Sequence, residues 1–123
     1  MKDDSLYLIH ISECIARIER YVAEGQAAFL DDTKTQDAVL RNLQTLAEST
    51  QRLSPELRAT YAAVDWAGIA GFRNVLVHDY LGVNLGRIWE IITDDLPDLG
   101  AQVEAMLRDL GGEDKPDESP TDN

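Results

Sequence analysis

Within the span Arg73-Asn74-Val75-Leu76-Val77-His78-Asp79-Tyr80 the sequence gathers a permanent cation, an amide, an imidazole and a phenol. Arginine stays charged and can grip an anion through two parallel N–H donors. Histidine exchanges protons near neutral pH, so it can serve as general base or general acid. On an α-helix Asn74 and His78 are neighbours four apart, and Arg73 and Tyr80, seven apart, lie nearly in line. Arg73 and His78 are five apart, about 140° around the helix. One straight helix therefore does not bring all four to a point. They meet if the helix ends near His78, or if two copies of the segment face each other across a two-fold axis. On spacing alone, capping of carbonyls and pairing with nearby acids explain such a set equally well.

The elements that must position these residues are helical throughout. From Asp4 to Glu24, Leu8, Ile11, Ile15, Ile18 and Val22 recur at steps of three and four, with Tyr7, Cys14 and Tyr21 widening the stripe and Gly25 as the stop. A second stripe, Val39, Leu43, Leu46, Ala47 and Leu53, predicts a helix over 35–53. Ser54-Pro55 reads as an N-cap followed by proline at the first helical position, opening a short helix to about Val64. Asp65 can cap a fourth helix from Trp66, with Ile69, Phe72 and Leu76 inward, and this helix carries the polar set. Gly82 marks a turn, and Asn84 can cap a fifth helix bearing Ile88, Ile92, Leu96, Leu99, Val103, Leu107 and Leu110. Pro97 either kinks that helix or begins a segment capped by Asp94 or Asp95. No segment alternates with period two, so the expected fold is an all-α bundle of about five helices.

Gly68 and Gly71 each cost roughly 1 kcal/mol of helix propensity relative to alanine. Such a cost is tolerated where another backbone comes close, within the bundle or across a dimer.

The chain of 123 residues suits one domain, expected over 1–110, with 111–123 as an acidic, disordered tail beyond Gly111-Gly112. Lys and Arg total 11 against 23 Asp and Glu, a net charge of −12. Residues 111–123 account for only part of this, so the body is acidic too. That balance excludes a protein holding nucleic acid by a broad basic surface, though not one with a small local site. The single cysteine, Cys14, allows no internal disulfide and no multi-cysteine zinc spacing. No apolar run is long enough to span a bilayer, and the first residues lack a signal peptide's order, so a cytoplasmic protein without membrane contact is expected.

Other candidates have plainer readings. His10, with Cys14, Arg17 and Tyr21 following along one flank, is a weak metal signal and reads as structural. Trp66 and Trp89 read as core or interface anchors. The pairs Asp31-Asp32 and Asp94-Asp95 each stand beside an expected helix break, so capping is expected of them rather than metal or acid–base chemistry. No metal and no cofactor are expected.

Arg73-Asn-Val-Leu-Val-His78-Asp-Tyr80 resembles the signature of HEPN-domain toxins of the HepT type: arginine, four residues, histidine, one residue, tyrosine. Asn74 after the arginine fits, as does the wider frame. That frame is a Trp66-to-Gly71 approach, then Tyr80-Leu81-Gly82-Val83-Asn84, then a tryptophan-bearing helix with Asp95-Leu96-Pro97. The resemblance covers about residues 4 to 110. It implies an HEPN-like all-α homodimer whose two motif segments line a shared cleft. It also implies a metal-independent endoribonuclease with Arg73, Asn74, His78 and Tyr80 in the site, acting on RNA as the toxin of a toxin–antitoxin pair. The implied partner is a minimal nucleotidyltransferase antitoxin that silences the toxin by moving AMP from ATP onto Tyr80. Arg73 from both subunits, with Arg87 as a further cation, would make the cleft locally positive. The alternative within the same frame is a non-catalytic dimer that serves the nucleotidyltransferase as binding partner or acceptor.

Overall fold

The computed structural model describes residues 3–114, all-helical and without a strand among them. The first long helix, α1 (Asp3–Tyr21), buries Leu8, Ile11, Cys14, Ile15 and Ile18, the stripe its periodicity predicts. Each fully buried aliphatic side chain of this kind contributes roughly 1.5–3 kcal/mol. The helix stops short of Glu24, and Tyr21 is exposed rather than part of the stripe. Gly25, at φ +100°, reverses the chain in a backbone region that favours glycine. It opens a separate short helix, α2 (Gln26–Leu30), which the sequence pattern does not separate from its surroundings. This helix seats the buried Phe29 against Trp89, ring centroids 5.6 Å apart.

Helix α3 (Thr33–Gln51) starts two residues before the predicted boundary because Asp32 caps it, accepting from the Lys34 N–H at 3.0 Å and the Thr35 hydroxyl at 2.8 Å. Val39, Leu40, Leu43, Leu46 and Ala47 face the core. Helix α4 (Pro55–Thr60) is shorter than expected, and its cap Ser54 accepts from the Leu57 N–H. Ser54 is itself pinned by Asp4 on α1: its N–H and hydroxyl both donate to that carboxylate, at 2.8 and 2.7 Å. Asp4 is only 3% exposed, so one charge locks the start of α1 to the start of α4.

Helix α5 (Trp66–His78) is capped by Asp65 as predicted, through the Gly68 N–H. Helix α6 (Leu85–Glu90) is capped by Asn84 through the Arg87 N–H, also as predicted. Beyond it the chain does not break. Residues Ile91–Asp95 form a single π-helical turn and lead directly into α7 (Leu96–Asp114). Proline cannot donate, and its ring crowds the carbonyl four residues back; widening the preceding turn relieves that crowding at Pro97. Asp94 and Asp95 therefore lie inside a continuous helical run and cap nothing, contrary to expectation. Nor do Gly111-Gly112 end the helix, which continues to Asp114; residues 115–123 of the expected tail lie outside the described residues.

Helix α1 packs between α3 and α7, and α5 packs on the far flank of α3. The walls formed by α5 on one side and α6 with α7 on the other stand apart over α3. Between them lies a largely apolar cleft of about 960 Å³, floored by Leu43, Leu46 and Ala47 and walled by Ile69, Phe72, Ile88 and Leu99. Neither glycine of α5 marks a close backbone approach within the chain. At Gly68 the space a Cβ would take is filled by the capping Asp65 carboxylate, 2.2 Å away, and at Gly71 nothing lies within 4 Å.

Candidate active site

Three of the four sequence-predicted site residues sit on the last two turns of α5, and the fourth follows in the 3₁₀ turn Tyr80–Gly82. The helix ends where Asp79 leaves helical geometry (φ −138°, ψ 44°), its N–H still donating to the Val75 carbonyl at 2.8 Å. The Gly82 N–H donates to the Asp79 carbonyl, and the Asp79 carboxylate lies 2.6 Å from where a Cβ on Gly82 would stand. This carboxylate is thus bent back over the turn, in the space a side chain at Gly82 would take.

Arg73 points toward α3. Its Nη2 lies 3.4 Å from Glu48 Oε2 in a half-buried ion pair, the side chains 30% and 41% exposed. Its Nη1 donates to Asn74 Oδ1 at 3.3 Å, and its buried Nε has no acceptor among the described residues. Glu48 is held in turn by Gln44, whose Nε2 donates to the same Oε2 at 3.3 Å. Asn74 and His78, one turn apart, are exposed on a different strip. The structure thus brings Arg73 and Asn74 together and leaves His78 facing solvent at the helix end. Apolar side chains surround the strip: Val75 and Val77 are exposed, and Leu81 is 98% exposed.

Arg87, the further cation considered, lies on the α6 wall of the cleft and pairs with Glu90 at 3.1 Å. His10 is exposed and meets Tyr7 edge to face, ring centroids 6.2 Å apart. Burial pushes the Cys14 thiol up from its ordinary value, with Arg17 partly opposing, which makes it a poor nucleophile. No group of three or more His, Cys, Asp or Glu that could hold a metal ion occurs among the described residues. Trp66 is an anchor as expected, donating from Nε1 to the Arg58 and Tyr61 carbonyls, both at 3.1 Å. The sequence reading missed Glu48 and Gln44. Their spacing of four was visible, but nothing in it says that α3 meets α5 at that height.

Comparison with known proteins covers most of the chain. The family model described as "Ribonuclease HepT-like" matches residues 11–106, a span that includes all of α3 to α6 and the whole Arg73-to-Tyr80 motif. The chain belongs to the HepT-like ribonuclease family.

A protein of Caldanaerobacter subterraneus subsp. tengcongensis, described as a candidate RNase, is 38% identical over 109 residues, covering 88% of this chain and 97% of its own. A "Probable ribonuclease HepT" of Thermococcus cleftensis is 32% identical over 103 residues, covering 83% of this chain and 94% of its own. A protein of Methanocaldococcus jannaschii, described as a gamma-glutamylcyclotransferase and candidate RNase, is 34% identical over 110 residues, 89% of this chain. The match spans 50% of that longer relative. No solved structure matches the chain. Among the described residues no helix of this HepT-like chain is long and apolar enough to cross a membrane.

Proposed function

We propose that this HepT-like chain is a metal-independent endoribonuclease, the toxin of a toxin–antitoxin pair, working as a homodimer. The observation that carries the reading is the placement of Arg73, Asn74 and His78 at the exposed end of α5, in a chain of a ribonuclease family. RNA supplies its own nucleophile, so the protein needs only proton transfer and charge stabilisation. One His78 takes the 2′-hydroxyl proton as the 2′-oxygen bonds to phosphorus. The P–O5′ bond breaks, and the partner's His78 delivers a proton to the leaving 5′-oxygen, giving a cyclic phosphate and a 5′-hydroxyl. Arg73 holds the charged phosphorane, and Asn74 orients the imidazole.

Two features support the dimer. Arg73 and His78 diverge on one helix, and a second copy supplies the missing partner. The exposed Val75, Val77 and Leu81 around the strip are the apolar surface a self-complementary interface would cover. Silencing follows from Tyr80 by the same reading: a nucleotidyltransferase antitoxin moves AMP from ATP to its hydroxyl and releases pyrophosphate. The added bulk and negative charge exclude RNA from the site. The acid excess of the chain favours a second reading, a non-catalytic dimer that serves the nucleotidyltransferase as acceptor.

The test is cleavage of total cellular RNA, with chelator present, by protein whose intact mass shows an unmodified Tyr80. Wild type is expected to cut and His78→Ala to leave RNA whole. No cutting of mRNA or tRNA by unmodified dimer selects the acceptor reading.

A further inference from the structure

We infer that Glu48, on α3, is a positioning residue for the reaction: it fixes the Arg73 guanidinium in the orientation that meets the phosphate. The inference rests on the ribonuclease reading above and adds to the site a residue outside the Arg73-to-Tyr80 motif.

Arginine has many rotamers, and a phosphate is gripped well only when the planar fork is aimed before the substrate arrives. Two contacts aim it here, and a third braces one of them. Glu48 Oε2 takes Nη2 from the α3 side at 3.4 Å, and Asn74 Oδ1 takes Nη1 at 3.3 Å. Gln44, one turn before Glu48 on α3, donates to the same Oε2 and so holds the carboxylate that holds the arginine. The sequence from Gln44 through Glu48 and Arg73 to Asn74 is a connected chain of hydrogen bonds from α3 across to α5.

A carboxylate beside the arginine could instead compete with phosphate. The geometry points the other way. Glu48 makes a single contact with one terminal nitrogen; with Asn74 on the other and Nε buried, each terminal nitrogen still keeps one N–H for a phosphate. It also approaches Arg73 from α3, whereas Asn74 and His78 lie exposed on α5, the side from which RNA would arrive.

The experiment compares wild type, Glu48→Gln and Glu48→Ala on one defined RNA, in both the native and an Arg73→Lys background, with oligomeric state and thermal midpoint measured on each. Glu48→Ala is expected to lower kcat about tenfold with little change in KM, because the arginine is misaimed rather than removed. Glu48→Gln keeps an acceptor oxygen and recovers part of the loss. In the Arg73→Lys background Glu48→Ala has no further effect, since the two residues act as one unit. A loss of the same size in both backgrounds, no loss, or a gain in rate overturns the inference. A second readout does not need turnover: the Arg73 Nε–H signal in a ¹H–¹⁵N spectrum should be distinct in wild type and averaged toward free arginine in Glu48→Ala. If wild type cuts no RNA, the ribonuclease reading fails. The spectrum then still decides whether Glu48 fixes Arg73, and an unchanged signal overturns that as well.

Discussion

The two ends of α5 are built on opposite plans. At its start, Asp65 caps the Gly68 N–H, and Trp66 donates to two carbonyls of the preceding segment. Every such contact is made within the chain. At its end, Asn74, Val75, Val77 and His78 face solvent, and the helix closes with the Asp79 N–H on the Val75 carbonyl. The first-turn N–H and the half-buried indole N–H both find acceptors nearby in the chain, so the first end is finished by its own chain. Exposed polar groups in a rim of exposed apolar ones are finished by another molecule. Stability resides at one end of the helix and, on the reading proposed, chemistry at the other.

Substitutions can break that contrast. His78→Ala carries the largest expected effect, a loss of roughly 10²–10⁴-fold in RNA cleavage, with a change in unfolding free energy below about 0.5 kcal/mol. A chemical denaturation curve shifted by more than that would make His78 structural and erase the difference between the ends. Trp66→Ala should do the reverse. Losing a half-buried indole and two hydrogen bonds is expected to cost about 3 kcal/mol of stability, while the residual folded fraction keeps its turnover per active dimer. Asp65→Ala sharpens the same point more gently, at about 1 kcal/mol for a lost N-cap, read as a lower thermal midpoint with unchanged cleavage.

The smallest effect is that of acid on the cap of α3. The Thr35 hydroxyl, then the Thr35 and Lys34 N–H groups and the Lys34 charge, hold the Asp32 carboxyl below its ordinary value. A depressed carboxylate contributes stability that is present above its unfolded-state pKa and lost as pH falls through the lower folded value. Stability should therefore decline as pH drops below about 4. Asp32→Asn should flatten that part of the decline, measured by denaturation midpoints across pH. Equal slopes in the two proteins would remove Asp32 from the account.

Much of this was legible in the residue order. The stripe of α1, the caps at Ser54, Asp65 and Asn84 and the polar set of α5 all follow from spacings of three and four along one helix. What failed did so where local signals were ambiguous. Asp94-Asp95 before Pro97 has the look of a cap, yet the buried Ile88, Ile92 and Leu96 hold one helical run together, and a single π turn absorbs the proline. Gly68 lies under its own cap and Gly71 faces open space, so neither marks a close approach within the chain.

The sequence by itself determined the long helices and most of their caps, and it presented Arg73 to Tyr80 as a candidate set, because each depends on neighbours within one or two turns. Only the tertiary structure decided that Asp4 locks Ser54, that Glu48 meets Arg73, and that α5 stands apart from α6 and α7 over a cleft. Those contacts join residues 25 or 50 apart in the chain. They are set by how one helix lies against another, which no spacing along a single helix encodes.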